Sequence, residues 1–323
     1  MPDGGARVII DSMTYAFDVE LAPALDVLPK IDVSDIPAAR NTLDVLLGQL
    51  DEPDPTGVEE RDVRIPGPDG APDVLLLLYV PEQRIGTGAV YDVHGGGFIL
   101  GAAGGNRARN LQVARELGVV VASVDYRLAP EHPFPAGLED CYAGLTWLAA
   151  HADELGVDPA RIAIHGISAG GGLCAALALL ARDRGGPAIA FQYLGVPEVD
   201  DRLDTPSMRA FVDTPIWNRP NAVVSWDSYL GAGVPGTPAV SPYAAPARAT
   251  DLAGLPPAYV SAMQFDPLRD EGLAYALALL AAGVQVELHL FPGTFHGSAM
   301  VEAAQVSRRE LDEAVTVLRN AVG

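Results

Sequence analysis

A serine between glycines lies where an apolar strand pattern gives way to a helical pattern. Ser168 is the third residue of Gly166-Ile167-Ser168-Ala169-Gly170, between an apolar run at 161–164 and a helical pattern at 169–182. A G-x-S-x-G turn in that context is typical of a nucleophile elbow, whose small residues let the turn expose the serine hydroxyl. The five-residue pattern alone also arises by chance in a glycine-rich chain, so the flanking elements carry the prediction. We predict that Ser168 is a nucleophile.

A glycine loop after an earlier apolar run could stabilise the negative charge that this nucleophile creates. The segment His94-Gly95-Gly96-Gly97-Phe98 has no bulky side chains at its centre, so its backbone can approach a substrate carbonyl. Candidate oxyanion donors are N–H groups of this loop, with that of Ala169 at the start of the next helix as a further donor. A phosphate-binding loop is the alternative, but no G-K-[ST] follows. We expect His94 to hold the loop rather than transfer protons.

A serine hydroxyl is a weak nucleophile and needs a histidine base. Two histidines follow Ser168 in the chain, His289 and His296. His289 alternates with apolar residues, which favours the exposed face of a strand. His296 follows that apolar run in a Pro/Gly loop, and ligand chemistry in α/β sheets collects at the carboxyl ends of strands. We therefore predict that His296 is the base.

The base needs a carboxylate that orients it. Asp266 comes directly after an apolar run and is the predicted partner. Asp270 and Glu271 are its rivals, but they lie on the first turn of a predicted helix, where acids commonly complement the helix dipole. Asp200 and Asp201, at the end of another predicted strand, are a further alternative.

Seven short apolar runs bounded by Gly and Pro are predicted as strands, and helical patterns separate most of the later ones. The runs are 74–80, 89–93, 119–124, 161–164, 188–194, 258–263 and 286–290. Strands alternating with helices predict an α/β fold with a mostly parallel central sheet flanked by helices. The first two strands are expected to pair antiparallel.

The alternation is absent in two segments, which we predict to form a helical cap. Residues 1–55 carry apolar positions at helical spacing, and the insertion 200–243 is rich in aromatic residues and proline. The core would then consist of 56–199 and 244–323. The aromatic residues of the insertion include Trp217, Trp226 and Tyr229.

The overall charge argues against two classes of partner. The 323 residues carry a formal net charge of −21, which disfavours nucleic acid and anionic membrane surfaces as partners.

The first residues lack the features of a signal peptide, and no apolar run is long enough to span a bilayer, so we predict a cytoplasmic protein. The two cysteines, Cys141 and Cys174, lie in apolar helical patterns typical of buried free thiols.

Taken together, the motifs resemble those of bacterial carboxylesterases of the hormone-sensitive-lipase family. The resemblance rests on HGGGF at 94–98, DYRLAPEHPFPA at 125–136, GISAGG at 166–171, DPLRDE at 266–271 and FHG at 295–297. It implies an α/β-hydrolase fold and the hydrolysis of short-chain esters without a cofactor or metal. It also implies Ser168, Asp266 and His296 as the relay, and the N–H groups of Gly95, Gly96 and Ala169 as the oxyanion donors. Many members have an acid where this chain has Ile167.

The leading interpretation is thus an esterase that acts on a small-molecule ester, with a homodimer as one assembly compatible with the sequence. A binding protein built on an inactive hydrolase is the alternative from another class, as in plant gibberellin receptors, which resemble this family but lack a complete relay. The intact serine, aspartate and histidine set disfavours it. An amidase and a true lipase are the remaining alternatives.

Overall fold

The computed structural model describes residues 15–28, 32–68 and 70–323. One sheet runs through it, with the strands in the order β1-β2-β4-β3-β5-β6-β7-β8. The strands are β1 Val58–Ile65, β2 Val74–Pro81, β3 Ala89–Val93, β4 Val120–Asp125, β5 Ile162–Ile167, β6 Phe191–Gly195, β7 Ala258–Phe265 and β8 Val286–Phe295. The six strands from β3 to β8 are mutually parallel, as predicted.

Two features at the first edge of the sheet differ from the sequence prediction. The runs 74–80 and 89–93 do not pair, because β4 lies between them and pairs antiparallel with β2 and parallel with β3. The predicted antiparallel pairing is therefore wrong. The strand β1 was not predicted at all, because its sequence VEERDVRI is mostly charged and four of its residues in a row are exposed.

Helices cover both faces of the sheet, because strand side chains alternate between the two faces. The alternation is clear on β4, where Val121 and Ala122 belong to different hydrophobic clusters. One face packs against α3 Ala136–Ala150, α4 Ala169–Arg184 and α7 Arg269–Ala281, and the other against α2 Arg107–Leu117 and α8 Gln305–Val322. The buried free thiols of Cys141 and Cys174 lie on α3 and α4, as predicted.

The remaining helices lie outside this arrangement, in the two segments predicted as a cap. The helix α1 Ile36–Leu47 precedes β1, and α5 Pro206–Ala210 and α6 Arg219–Leu230 lie between β6 and β7. Residues 1–14 and 29–31, which belong to the predicted N-terminal cap segment, lie outside the described residues, as do the first residues used to argue against a signal peptide. Within the described residues, the structure has no helix that is both long enough and apolar enough to cross a membrane.

Candidate active site

Ser168 lies at the turn between β5 and α4, the context that the sequence predicts. Its backbone adopts φ +61° and ψ −124°, a conformation that is costly for a residue with a side chain and is common at functional turns. The N–H of Ser168 donates to the carbonyl of Gly195 at 2.8 Å. A Cβ atom at Gly170 would lie 2.1 Å from the carbonyl oxygen of Val93, so only glycine lets α4 begin this close to β3. These contacts hold the turn tightly against the carboxyl ends of β3 and β6.

The glycine loop at 94–97 lies beside this turn, since a Cβ atom at Gly95 would be 3.5 Å from Cβ of Ser168. All four carbonyl oxygens of the loop accept hydrogen bonds of 2.8 to 2.9 Å. For residues 94 to 97 in order, the donors are the hydroxyl of Tyr126, Nδ1–H of His94, the N–H of Leu100 and the hydroxyl of Ser225. Because these hydrogen bonds fix the carbonyl oxygens, the backbone N–H groups of the loop are the groups that can donate to an anion.

The ring of His94 supports the loop, in agreement with the sequence prediction. It stacks on Tyr126, with ring centroids 4.1 Å apart. Its Nδ1 must carry the proton, because a carbonyl can only accept. Burial lowers the pKa of His94, which favours this neutral form.

His296 and Asp266 form a buried pair at the carboxyl ends of β8 and β7. Nδ1 of His296 lies 2.7 Å from Oδ2 of Asp266. The other carboxylate oxygen accepts the N–H of Leu268 at 2.9 Å, which fixes the carboxylate plane. With its proton on Nδ1, the imidazole has an acceptor at Nε2. Because β5 to β8 are parallel, their carboxyl ends line one edge of the sheet, and this pair and Ser168 both lie there.

The rival acids all have other partners. Two are engaged in ion pairs next to β6, one in an ion pair on α7, and one with backbone N–H groups. The pairs are Asp200 with Arg202, Asp201 with Arg248, Asp270 with Arg269, and Glu271 with the N–H groups of Val199 and Asp200. None of these four acids pairs with a histidine in the described part of the chain.

The rival histidine has a different environment. His289 lies within β8, and its Nδ1 is 2.7 Å from Oε1 of Glu313 on α8. The same carboxylate oxygen accepts the hydroxyl of Tyr259. His289 is therefore part of the packing between the sheet and α8.

A second His–Asp pair, which the sequence analysis did not single out, lies inside the sheet. Asp92 is fully buried and accepts hydrogen bonds from Nδ1 of His165 and from the hydroxyl of Ser123, both at 2.8 Å. Burial alone would raise the pKa of Asp92, but its hydrogen bonds from His165, Asn110 and Asn106 lower it. Ser123 donates to the carboxylate and not to the imidazole. The set therefore links β3, β4 and β5 and lacks the serine–histidine contact of a nucleophile.

The aromatic residues of the insertion pack over the glycine loop. Tyr229 stacks on Phe98 at 4.1 Å between ring centroids, and Trp226 is fully buried next to them. A Cβ atom at Gly97 would lie 2.4 Å from the Trp217 ring, so the indole covers the loop directly. Beside Ser168, Ile167 is 45% exposed and offers an apolar surface there.

We expect Asp266→Asn to fold normally and to lose about 10⁴ in kcat. The asparagine oxygen can still accept the N–H of Leu268, but an amide N–H facing His296 would favour the wrong imidazole tautomer. Steady-state kinetics on a p-nitrophenyl ester, with Asp270→Asn as the matched control, checks this. A larger loss from the Asp270 variant would contradict the choice of Asp266.

A strand–serine–helix turn, a glycine loop beside it and a buried His–Asp pair at one edge of a mostly parallel sheet define the class of α/β hydrolases. The family model described as "alpha/beta hydrolase fold" matches residues 90–300. The chain therefore belongs to the α/β-hydrolase family.

The relatives narrow this to carboxylic ester hydrolases and confirm the resemblance seen in the motifs. Carboxylesterase NlhH of Mycobacterium tuberculosis is 44% identical over 247 residues, covering 74% of this chain and 75% of NlhH. Esterase LipI of the same organism is 38% identical and covers 87% of this chain and 88% of LipI. The structure of a bacterial heroin esterase matches with a TM-score of 0.93 and 54% identity over 95% of this chain and 98% of that one. The protein is a carboxylic ester hydrolase.

Proposed function

We propose that the protein hydrolyses short-acyl carboxylic esters through an acyl-enzyme on Ser168. The observation that carries the proposal is the 2.7 Å contact between His296 and Asp266 at the sheet edge where the Ser168 turn lies. Ser168 Oγ attacks the ester carbonyl while Nε2 of His296 takes its proton, and Asp266 stabilises the imidazolium. The ester C–O bond then breaks, and His296 returns the proton to the departing alcohol.

Deacylation repeats these steps with water as the nucleophile. His296 takes a proton from water, the hydroxide attacks the acyl carbon, and Ser168 leaves with the proton that His296 returns. In both halves the oxyanion is held by the N–H groups of Gly95, Gly96 and Ala169, helped by the positive N-terminus of α4. The relay needs no cofactor, and the described residues contain no cluster of metal-ligating side chains.

The proposal extends to the architecture around the site. Residues 1–55 and 200–243 form the cap over a core of 56–199 and 244–323. Contacts of Trp217 with the glycine loop support this for the second segment. A cytoplasmic location, placement in the hormone-sensitive-lipase group and a homodimer belong to the same proposal.

Covalent labelling tests the activated serine directly. A fluorophosphonate should modify the folded protein at Ser168 and block ester turnover in the same proportion, because only a serine with a working base reacts readily. A protein denatured beforehand is the control and should not be labelled. Labelling at another serine, or none in the folded protein, would favour the binding-protein alternative.

We expect acetyl to hexanoyl esters to be hydrolysed much faster than long-chain esters. The argument is that a net charge of −21 opposes adsorption to an anionic lipid interface, and that Trp217 covers one side of the site. The measurement is kcat/KM for p-nitrophenyl esters from acetate to palmitate. A maximum at dodecanoate or beyond, or activation by emulsified triglyceride, would contradict it.

A further inference from the structure

A buried glutamate lies between the nucleophile turn and the insertion helix α6. Glu198 follows β6 and is fully buried, and its N–H donates to the carbonyl of Ser168 at 3.1 Å. Its Oε1 lies 3.1 Å from Oγ of Ser225 on α6. Its Oε2 has no hydrogen-bond partner among the described residues. A carboxyl group with one contact and no water-facing side is an unusual neighbour for a catalytic turn.

The hydroxyl of Ser225 has two contacts but only one proton. Oγ of Ser225 is also 2.8 Å from the carbonyl oxygen of Gly97, in the glycine loop. A carbonyl can only accept, so the single hydroxyl proton of Ser225 is needed for the bond to Gly97. Both contacts are full hydrogen bonds when Glu198 is protonated and donates its own O–H to Ser225. The chain of donors then runs from Glu198 to Ser225 to Gly97.

The surroundings of Glu198 favour the neutral acid. Burial raises the pKa of Glu198 to about 8, against the opposing effect of the contact with Ser225, and the negative charge of Asp266 adds to the rise. The other groups electrostatically linked with it are the acid Glu271 on α7, whose pKa is itself raised well above its usual range by burial, and the hydroxyl of Tyr126. Asp200, two residues further along the chain, already pairs with Arg202. No cation pairs with Glu198 in the described part of the protein.

We propose that Glu198 is a positioning residue. As a neutral acid, it directs the Ser225 hydroxyl to the carbonyl oxygen of Gly97 and so fixes the glycine loop. The inference rests on the proposed ester hydrolysis at Ser168. When Glu198 ionises at alkaline pH, its carboxylate becomes a stronger acceptor for the Ser225 proton than the Gly97 carbonyl. The loop then loses the partner of its last carbonyl, and the N–H groups next to it lose their fixed direction. Turnover falls although the relay is intact.

The experiment is a kcat-against-pH profile from pH 6 to 10 for the wild type, Glu198→Gln, Glu198→Leu and Ser225→Ala. Glutamine keeps a neutral donor to Ser225 at every pH, so Glu198→Gln should keep kcat within about threefold near pH 7. It should also lack the loss of activity that the wild type shows above about pH 8. Glu198→Leu and Ser225→Ala should each lower kcat about tenfold with KM little changed, less than the 10²–10³ for removing an oxyanion donor itself. Thermal unfolding is followed for each.

Glu271→Gln is the matched control, because Glu271 is also buried with one unpartnered carboxylate oxygen but accepts from the backbone of 199–200, away from the glycine loop. Its profile should keep the alkaline loss. The inference is wrong if the wild type has no such loss, if Glu198→Gln retains it, if Glu198→Gln falls as far as Glu198→Leu, or if Glu271→Gln abolishes it. Should Glu198→Leu fail to fold, the comparison of wild type with Glu198→Gln still decides.

The failure of the proposed function would look different. In that case Ser168→Ala would retain turnover, or the fluorophosphonate would label no serine, whatever the profiles of the Glu198 variants. The pH dependence of the fluorophosphonate labelling rate gives a second readout that needs no ester. The labelling rate of the wild type should fall at alkaline pH, and that of Glu198→Gln should not, because phosphonylation uses the same glycine loop.

Discussion

Ser168→Ala is expected to abolish ester hydrolysis, with a loss of up to about 10⁶ in kcat and little change in folding. The variant lacks the only atom that can carry the acyl group in the proposed mechanism. The fold should survive because the bonds at this position are made by the backbone, to Gly195, Gly172 and Glu198, and alanine keeps them. Alanine also has a Cβ like serine, so the positive φ costs it no more.

Three measurements check this expectation: turnover of p-nitrophenyl acetate, fluorophosphonate labelling and the midpoint of thermal unfolding. Ser261→Ala is the control, since Ser261 is also a buried serine but lies within β7. That variant should remain active and be labelled. More than a few per cent of wild-type turnover in Ser168→Ala would mean that another group is the nucleophile.

His296→Ala is expected to be as damaging as loss of the nucleophile, again about 10⁶ in kcat. Without the imidazole, Ser168 has no base for its proton, and the departing alcohol has no acid to protonate it. The buried Oδ2 of Asp266 would also lose its imidazole partner, so a modest loss of stability should accompany the loss of rate.

His289→Ala is the natural comparison for this variant. It also removes an imidazole from a 2.7 Å contact with a carboxylate, but that contact joins β8 to α8. We expect its kcat to stay within a few-fold of the wild type and its unfolding midpoint to fall. If His289→Ala lost turnover and His296→Ala kept it, the assignment of the base would be reversed.

The sequence was sufficient for the parts of the site that depend on local context. The turn at Ser168, the glycine loop and the strand ends that carry Asp266 and His296 each follow from a short motif next to an apolar run. The pairing of His296 with Asp266 could also be expected, because both follow strands of one parallel sheet. Their separation by 30 residues is bridged by β8 lying next to β7.

The order of the strands was beyond local patterns. The residues of 74–80 and 89–93 do not indicate that β4 lies between the strands β2 and β3 that they form. The strand order depends on how the whole chain crosses the sheet. The charged edge strand β1 escaped notice because an edge strand pairs on one side only and can be polar without cost to the core.

Glu198 was missed for a different reason. An acid after β6 was noticed only at Asp200 and Asp201, which are also buried but form ion pairs with Arg202 and Arg248. That Glu198 is buried without a cation depends on α6 closing over it, and Ser225 is 27 residues away in the chain. The available signal was an acid within the otherwise apolar sequence Gly195-Val196-Pro197-Glu198-Val199.

The two buried thiols can be used to measure how often the core opens. Cys141 and Cys174 are fully buried on α3 and α4, and burial raises the pKa of both thiols well above the ordinary range. A thiol reagent in solution can therefore react only during moments when these helices separate from the sheet. When reclosing is faster than modification, the ratio of the observed rate to that of a free thiol equals the opening constant. The equilibrium between closed and open core can thus be followed in water, without denaturant.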